Sequence, residues 1–156
     1  MLKKPNRCCV SRLCLVMLLA CSAAAFAATP MIALGDNHAI ALRSDGRVLS
    51  WGDDSAGQLG TGILPFSTRP GLVARLDSVR GIGAGLSHSL AVRTDGTVWA
   101  WGNNYDGQLG GGPSVNRASA AQVQGLTNAI TSCGGSSFSL ALKTDGTVPV
   151  SNLGEC

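Results

Sequence analysis

Charge is scarce in this sequence, and so are the side chains that most chemistry needs. Charged residues make up 13% of the 156, about half the share near 25% found in soluble proteins. Only two histidines are present, His38 and His88. There is no G-x-S-x-G elbow, no H-E-x-x-H and no carboxylate pair outside turn sequences, so no catalytic residues are assigned. No CxxC or Cys/His spacing offers a metal site. No phosphate loop stands between a strand and a helix, so no cofactor is expected. A sustained 3.6-residue apolar period is missing too, which excludes a helical bundle. The formal charge of +3 misleads, because Lys3, Lys4, Arg7 and Arg12 supply it. Beyond residue 27, eight Lys and Arg face nine Asp and Glu, a balance of −1. A basic nucleic-acid footprint is therefore absent.

What is abundant is glycine, 21 residues, against a usual share of about 7%. Hydrophobic residues reach 45%, too apolar for a disordered tail.

The first 27 residues read as an address. A basic stretch without acids precedes the apolar run Leu13–Ala25, and Ala25-Phe26-Ala27 supplies the small residues of a cleavage site before Ala28. This is the pattern of a secretory signal peptide. The apolar run is shorter than the roughly 18–20 residues a spanning helix needs. A second route is also written there. Leu18-Leu19-Ala20-Cys21 resembles a bacterial lipobox, whose signal would end before Cys21 and leave a lipid anchor on it. Both routes predict an exported protein. Cys133 and Cys156 are the cysteines that follow this segment, and two do not make a disulfide framework.

The remaining chain is one pattern repeated with a period of 50. Gly35, Gly85 and Gly135 align, as do Asp45-Gly46, Asp95-Gly96 and Asp145-Gly146. His38 and His88 align with Phe138. Trp51-Gly52 returns as Trp101-Gly102, and Gly57-Gln58-Leu59-Gly60 as Gly107-Gln108-Leu109-Gly110. Thirteen of 26 positions are identical between 35–60 and 85–110, and ten of 14 between 85–98 and 135–148. The units are drawn as 32–81, 82–131 and a partial 132–148, with 149–156 an off-pattern tail.

Each unit reads as strands. Ser87, Ser89 and Ala91 alternate with His88, Leu90 and Val92, which is period-2 patterning. The Asp-Gly pairs between such runs predict hairpins with a type I′ turn. Short apolar pieces at 72–76 and 79–82 supply two further strands, giving about four antiparallel strands per unit and an all-β chain.

These residues carry a family resemblance. Gly85-Leu86-Ser87-His88-Ser89-Leu90-Ala91-Val92, followed by Asp95-Gly96, Trp101-Gly102 and Gly107-Gln108-Leu109-Gly110, resembles the regulator of chromosome condensation repeat. The resemblance covers residues 32–148 and implies a β-propeller, in that family usually of seven four-stranded blades. This chain holds material for an incomplete propeller of two to two and a half blades. The period predicts Trp-x-Trp-Gly at 149–152, but the chain reads Pro149-Val150-Ser151-Asn152. The expectation is a frameshifted or truncated piece of a longer array.

The resemblance also sets the functional expectation. Family members bind proteins; they include a nuclear exchange factor for a small GTPase and secreted inhibitors of β-lactamase. The chain is expected to be a non-catalytic, exported protein-binding module with an unidentified protein partner. The alternatives are an enzyme regulator of either kind and a truncated product without a function of its own. Unpaired strand edges and open blade faces predict self-association. The aligned His, Asp, Trp and Gly positions are read as structural. Trp99, whose counterparts are Leu49 and Pro149, and Tyr105 are the candidate partner-binding residues.

Overall fold

The computed structural model describes residues 27–62, 66–111 and 114–151. The signal segment up to Phe26, the Cys21 anchor and the tail from Asn152 onward lie outside the described residues.

The described chain is all β, with eleven strands in three antiparallel sheets and no helix. Blade 1 is the meander β1 (Met31–Leu34), β2 (His38–Leu42), β3 (Val48–Asp53) and β4 (Phe66–Leu72). Blade 2 is β5 (Val79–Ala84), β6 (His88–Arg93), β7 (Val98–Gly102) and β8 (Arg117–Gln122). Blade 3 has β9 (Ala129–Gly134), β10 (Ser139–Lys143) and the short β11 (Val150–Ser151). This is the incomplete β-propeller the repeats imply.

The sequence period reappears as ladder register. Ala39 pairs with Trp51, Ser89 with Trp101 and Ser139 with Ser151. The Asp-Gly pairs do form the hairpins, but not with a type I′ turn. Gly46, Gly96 and Gly146 have φ of 76°, 80° and 81°, while the aspartates before them stay at negative φ. The amide of Gly46 donates to the Arg43 carbonyl at 3.0 Å and that of Arg43 to the Arg47 carbonyl at 2.9 Å. That bonding is a tight turn closed by one left-handed glycine, the three-residue hairpin loop. The aspartate has a different role from the expected one. Its carboxylate accepts the amide two residues on, from Arg47, Thr97 and Thr147.

The fourth strand also lies elsewhere than expected. Residues 73–78 are a connection between blades, with Arg75 and Ser78 at positive φ. The strand is β4, upstream at 66–72. Its apolar signal is weak because it is an exposed blade edge, where Pro70 is tolerated.

Strand β6 is buried on both faces, because blade 2 is sandwiched. Its odd-numbered side chains, Ala91 and Trp101 among them, pack on Ile40, Leu42, Val48 and Val73 of blade 1. Its even-numbered ones, Leu90, Val92, Val98 and Ala100, pack with Ala129 and Ala141 of blade 3. Each fully buried Val, Leu or Ile stabilises this stack by about 1.5–3 kcal/mol.

Candidate functional site

Two blade seams are built from equivalent residues, and their difference locates the candidate site. In the first seam, His38 Nε2 meets Ser89 Oγ at 2.9 Å, and that hydroxyl donates to the Gln58 carbonyl at 2.9 Å. Trp101 Nε1 donates to the same carbonyl at 2.8 Å. Since the serine proton goes to Gln58, the imidazole must donate from Nε2. Its Nδ1 has no hydrogen-bond partner. The ring lies over Gly35, where any Cβ would overlap it.

The second seam repeats this relay. His88 Nε2 meets Ser139 Oγ at 2.8 Å, and Ser139 donates to the Gln108 carbonyl at 2.7 Å. Here Ser151 Oγ, at 2.9 Å, takes the position of the indole N–H. His88 covers Gly85, and Phe138 covers Gly135 in the third unit. Burial pushes both imidazoles below their ordinary range. For His88, burial and then the nearby His38 bring it to about 4. For His38, burial outweighs the attraction of Asp53. Both rings are neutral at pH 7.

The loops after β3 and β7 are closed by their own side chains. Asp54 accepts the Leu59 amide at 2.8 Å, and Asn104 accepts that of Leu109 at 2.9 Å. Gln58 and Gln108 reach back to Asp53 and Asn103. Asp and Asn serve equally because each supplies an acceptor oxygen. Burial raises the Asp54 carboxyl. Hydrogen bonds from its turn hold the Asp145 carboxyl at about 2. Gly57, Gly60, Gly107 and Gly110 shape these loops at positive φ. Gly52 and Gly102 lie at the C-terminal ends of β3 and β7, where the neighbouring backbone passes close; a Cβ on Gly102 would stand 2.6 Å from the Ser87 carbonyl. Among the described residues, no group of three or more His, Cys, Asp or Glu gathers around a point that could hold a metal.

The second seam opens into a groove of about 660 Å³. Its blade 2 wall is Leu90, Val98, Leu109 and Val123, and Ser139, Pro149 and Ser151 face it from blade 3. In the first seam the positions of Pro149 and Ser151 belong to Trp99 and Trp101. Pro149 still offers its carbonyl to the Ala141 amide at 3.2 Å. It has no N–H to return.

The regulator of chromosome condensation (RCC1) repeat family matches residues 32–58, 79–108 and 95–142. The chain belongs to this family. Among solved structures it is similar to yeast RCC1 (Prp20) bound to Kap60, at 26% identity and a TM-score of 0.69, over 77% of this chain and 31% of that one. It is also similar to Prp20p of Saccharomyces cerevisiae, from a study of binding to Gsp1p and histones, at 25% identity and a TM-score of 0.68, over 77% and 30%. Human WBSCR16 aligns at 25% identity and a TM-score of 0.68, over 76% and 32%. The chain thus spans about a third of the length of these propellers.

The RCC1 repeat places the two candidate partner-binding residues on opposite sides of blade 2. Trp99 is half-buried against the first seam, with the Arg93 guanidinium 5.5 Å from its ring centre. Tyr105 is 70% exposed at the rim of the groove in the second seam. They do not form one surface. Trp101 is fully buried, while its counterpart Trp51 is half-buried on blade 1. The serines of the relay were missed from sequence. Their signal was present in the identity of Ser89 and Ser139 and in the repeated Gln58 and Gln108.

Proposed function

We propose that this chain is an exported, non-catalytic protein-binding module built from RCC1 repeats. The observation that carries the reading is how its side chains divide. The repeated serine, glutamine and Asp/Asn side chains are engaged in the seam relays and the loop closures. The exposed ends of the blades carry apolar side chains instead, with Leu34 at 72% exposure, Leu86 at 47%, Tyr105 at 70% and Phe138 at 42%. Leu34 and Leu86 border one depression beside Gly35, Gly85 and Gly135, and Tyr105 stands at the separate groove of the second seam; adjoining exposed apolar side chains mark interaction surfaces. Kap60 is bound to yeast RCC1 (Prp20) in one similar structure, and Prp20p was characterised for binding to Gsp1p and histones, which supports protein binding for a chain of this fold.

Export rests on the basic-then-apolar leader and on Ala25-Phe26-Ala27. Mass spectrometry of the mature chain should find an N-terminus at Ala28, or at a lipidated Cys21. An intact Met1 in a cytoplasmic fraction would overturn export. For binding, crosslinking in the compartment where the chain resides should capture a defined protein, and Leu86→Ser or Tyr105→Ala should reduce capture. Capture unchanged in both variants would overturn this surface.

A regulator of an enzyme is the second reading, since family resemblance reaches both an exchange factor and hydrolase inhibitors. Direct assays of nucleotide exchange and of β-lactamase inhibition distinguish it. Self-association is favoured by the exposed Ile32 and Leu34 on β1 and is read by light scattering.

A further inference from the structure

We propose that the groove between blades 2 and 3 is a receptor for an indole, the side chain of a tryptophan presented by a partner protein. The argument is internal to the molecule. The first seam records what this repeat architecture holds at that place. Trp101 lies there with its N–H on the Gln58 carbonyl, its ring edge against Gly60 and Val73 beside it. A Cβ on Gly60 would stand 2.9 Å from the indole Cδ1.

The second seam keeps the receiving side of that arrangement. The Gln108 carbonyl matches that of Gln58, Gly110 matches Gly60 with nearly the same φ, 72° against 66°, and Val123 matches Val73. The wall itself changes modestly, with Leu90, Val92 and Ala100 in place of Ile40, Leu42 and Ser50; the larger difference is in the donated side chains. Pro149 and Ser151 replace the two indoles, and Ser151 Cβ would lie 3.7 Å from a Cβ on Gly110. The groove is the space left by that exchange. Its apolar wall suits the indole ring, and the Gln108 carbonyl suits the N–H. Ser151 Oγ is 2.9 Å from the Gln108 carbonyl and 3.4 Å from that of Ser139. Rotation toward Ser139 would free the first acceptor for an entering donor. Tyr105 stands exposed at the rim, placed to cover the ring.

The source of the indole rests on the reading of the chain as a protein-binding module; the groove itself does not. The test therefore begins with a small probe. N-acetyl-tryptophanamide is titrated into the purified chain and followed by amide NMR. Saturable binding with a millimolar Kd is expected, the usual strength for a ligand of this size. The shifts should centre on Leu109, Gly110, Val123 and Ser151 and leave Gly60 and Val73 still. N-acetyl-phenylalaninamide, which lacks the ring N–H, should bind several-fold more weakly. Ser151→Trp should fill the groove with its own indole, abolish probe binding and raise Tm. Absence of saturable binding, shifts that centre elsewhere, or equal binding of N-acetyl-phenylalaninamide would overturn the proposal. If Ser151→Trp does not fold, the shift map on the unaltered chain still decides. If the probe fails while partner capture succeeds, the module reading stands and this groove is not its site.

Discussion

Acid should destabilise this protein before its carboxylates are protonated, because both of its blade seams hold neutral imidazoles. His88 is fully buried between blades 2 and 3, donating to Ser139. In the unfolded chain its pKa is near 6.5; in the fold it falls to about 4, chiefly through burial and then through His38. Between those values the unfolded chain binds a proton that the folded chain refuses. Stability must then rise with pH across that window and fall as pH drops through it. Each pH unit of separation corresponds to about 1.4 kcal/mol, so His88 alone removes about 3 kcal/mol between pH 6.5 and 4. His38 acts in the same direction. A domain of this kind has about 5–15 kcal/mol in all, so the loss is large. Asp45, Asp53, Asp95 and Asp145 have lowered carboxyls, whose contribution is lost only below their ordinary range. Asp54, raised by burial, works in the opposite sense and also in the carboxylate range.

The assay is urea unfolding at pH 8, 7, 6, 5 and 4.5, for the native chain and for His88→Phe. Phenylalanine is the residue the third unit places over its glycine, so the substitution keeps a ring there. The native chain should lose stability progressively below pH 6.5, and His88→Phe should lose much less. The double variant with His38→Phe should be nearly flat down to pH 4.5. A native chain with constant stability from pH 7 to 4.5 would refute the reasoning. So would an imidazole of His88 that titrates near 6.5 in the folded protein by NMR.

The seam relay makes further predictions. Ser89→Ala leaves the His38 Nε2–H without its acceptor, and urea midpoints should report a loss of about 1–3 kcal/mol; full stability would remove the relay from the account. Trp101→Ala should cost about 3–5 kcal/mol as a buried aromatic, whereas Trp101→Phe, which gives up chiefly the bond to Gln58, should cost distinctly less in the same melts. Gly102→Ala drives a methyl into the Ser87 carbonyl and the His88 backbone at φ 106°, while Gly107→Ala meets nothing within 4 Å at φ 77°. The first should prevent soluble expression or lower Tm by far more than the second, and equal effects would mean that φ alone matters at these turns.

The period of 50 made most of the fold legible, because a repeat that cannot bury its faces alone must stack on its neighbours. Where the sequence misled, one residue served two geometric demands. Asp45-Gly46 reads as a pair sharing positive φ, yet only the glycine adopts it, and the aspartate closes the loop by accepting the Arg47 amide. The alternation in β6 predicts a strand, and the structure shows both of its faces buried. Ser89 and Ala91 look polar or small because they must admit the opposing blade, and Leu90 and Val92 look apolar because they fill the next seam. Edge strand β4 was misplaced for the converse reason: it has little to bury, so nothing in its side chains announces it.

The candidate groove was half legible. The loss of Trp-x-Trp at 149–151 is plain in the sequence, but it reads there only as a broken pattern. Its physical meaning depends on knowing which blade face those positions point toward, and period-2 alternation cannot say that. The ladder register can. Ser139 pairs with Ser151 as Ser89 does with Trp101, so the lost indoles would have faced Leu109, Gly110 and Val123. The same ladder shows why Pro149 does not end the blade. Its missing N–H removes one bond, while its carbonyl and the Val150–Ser151 pairing keep β11 on β10. A substitution that removes packing without removing the strand leaves the receiving wall standing, and that is the condition for a seam to become a binding site.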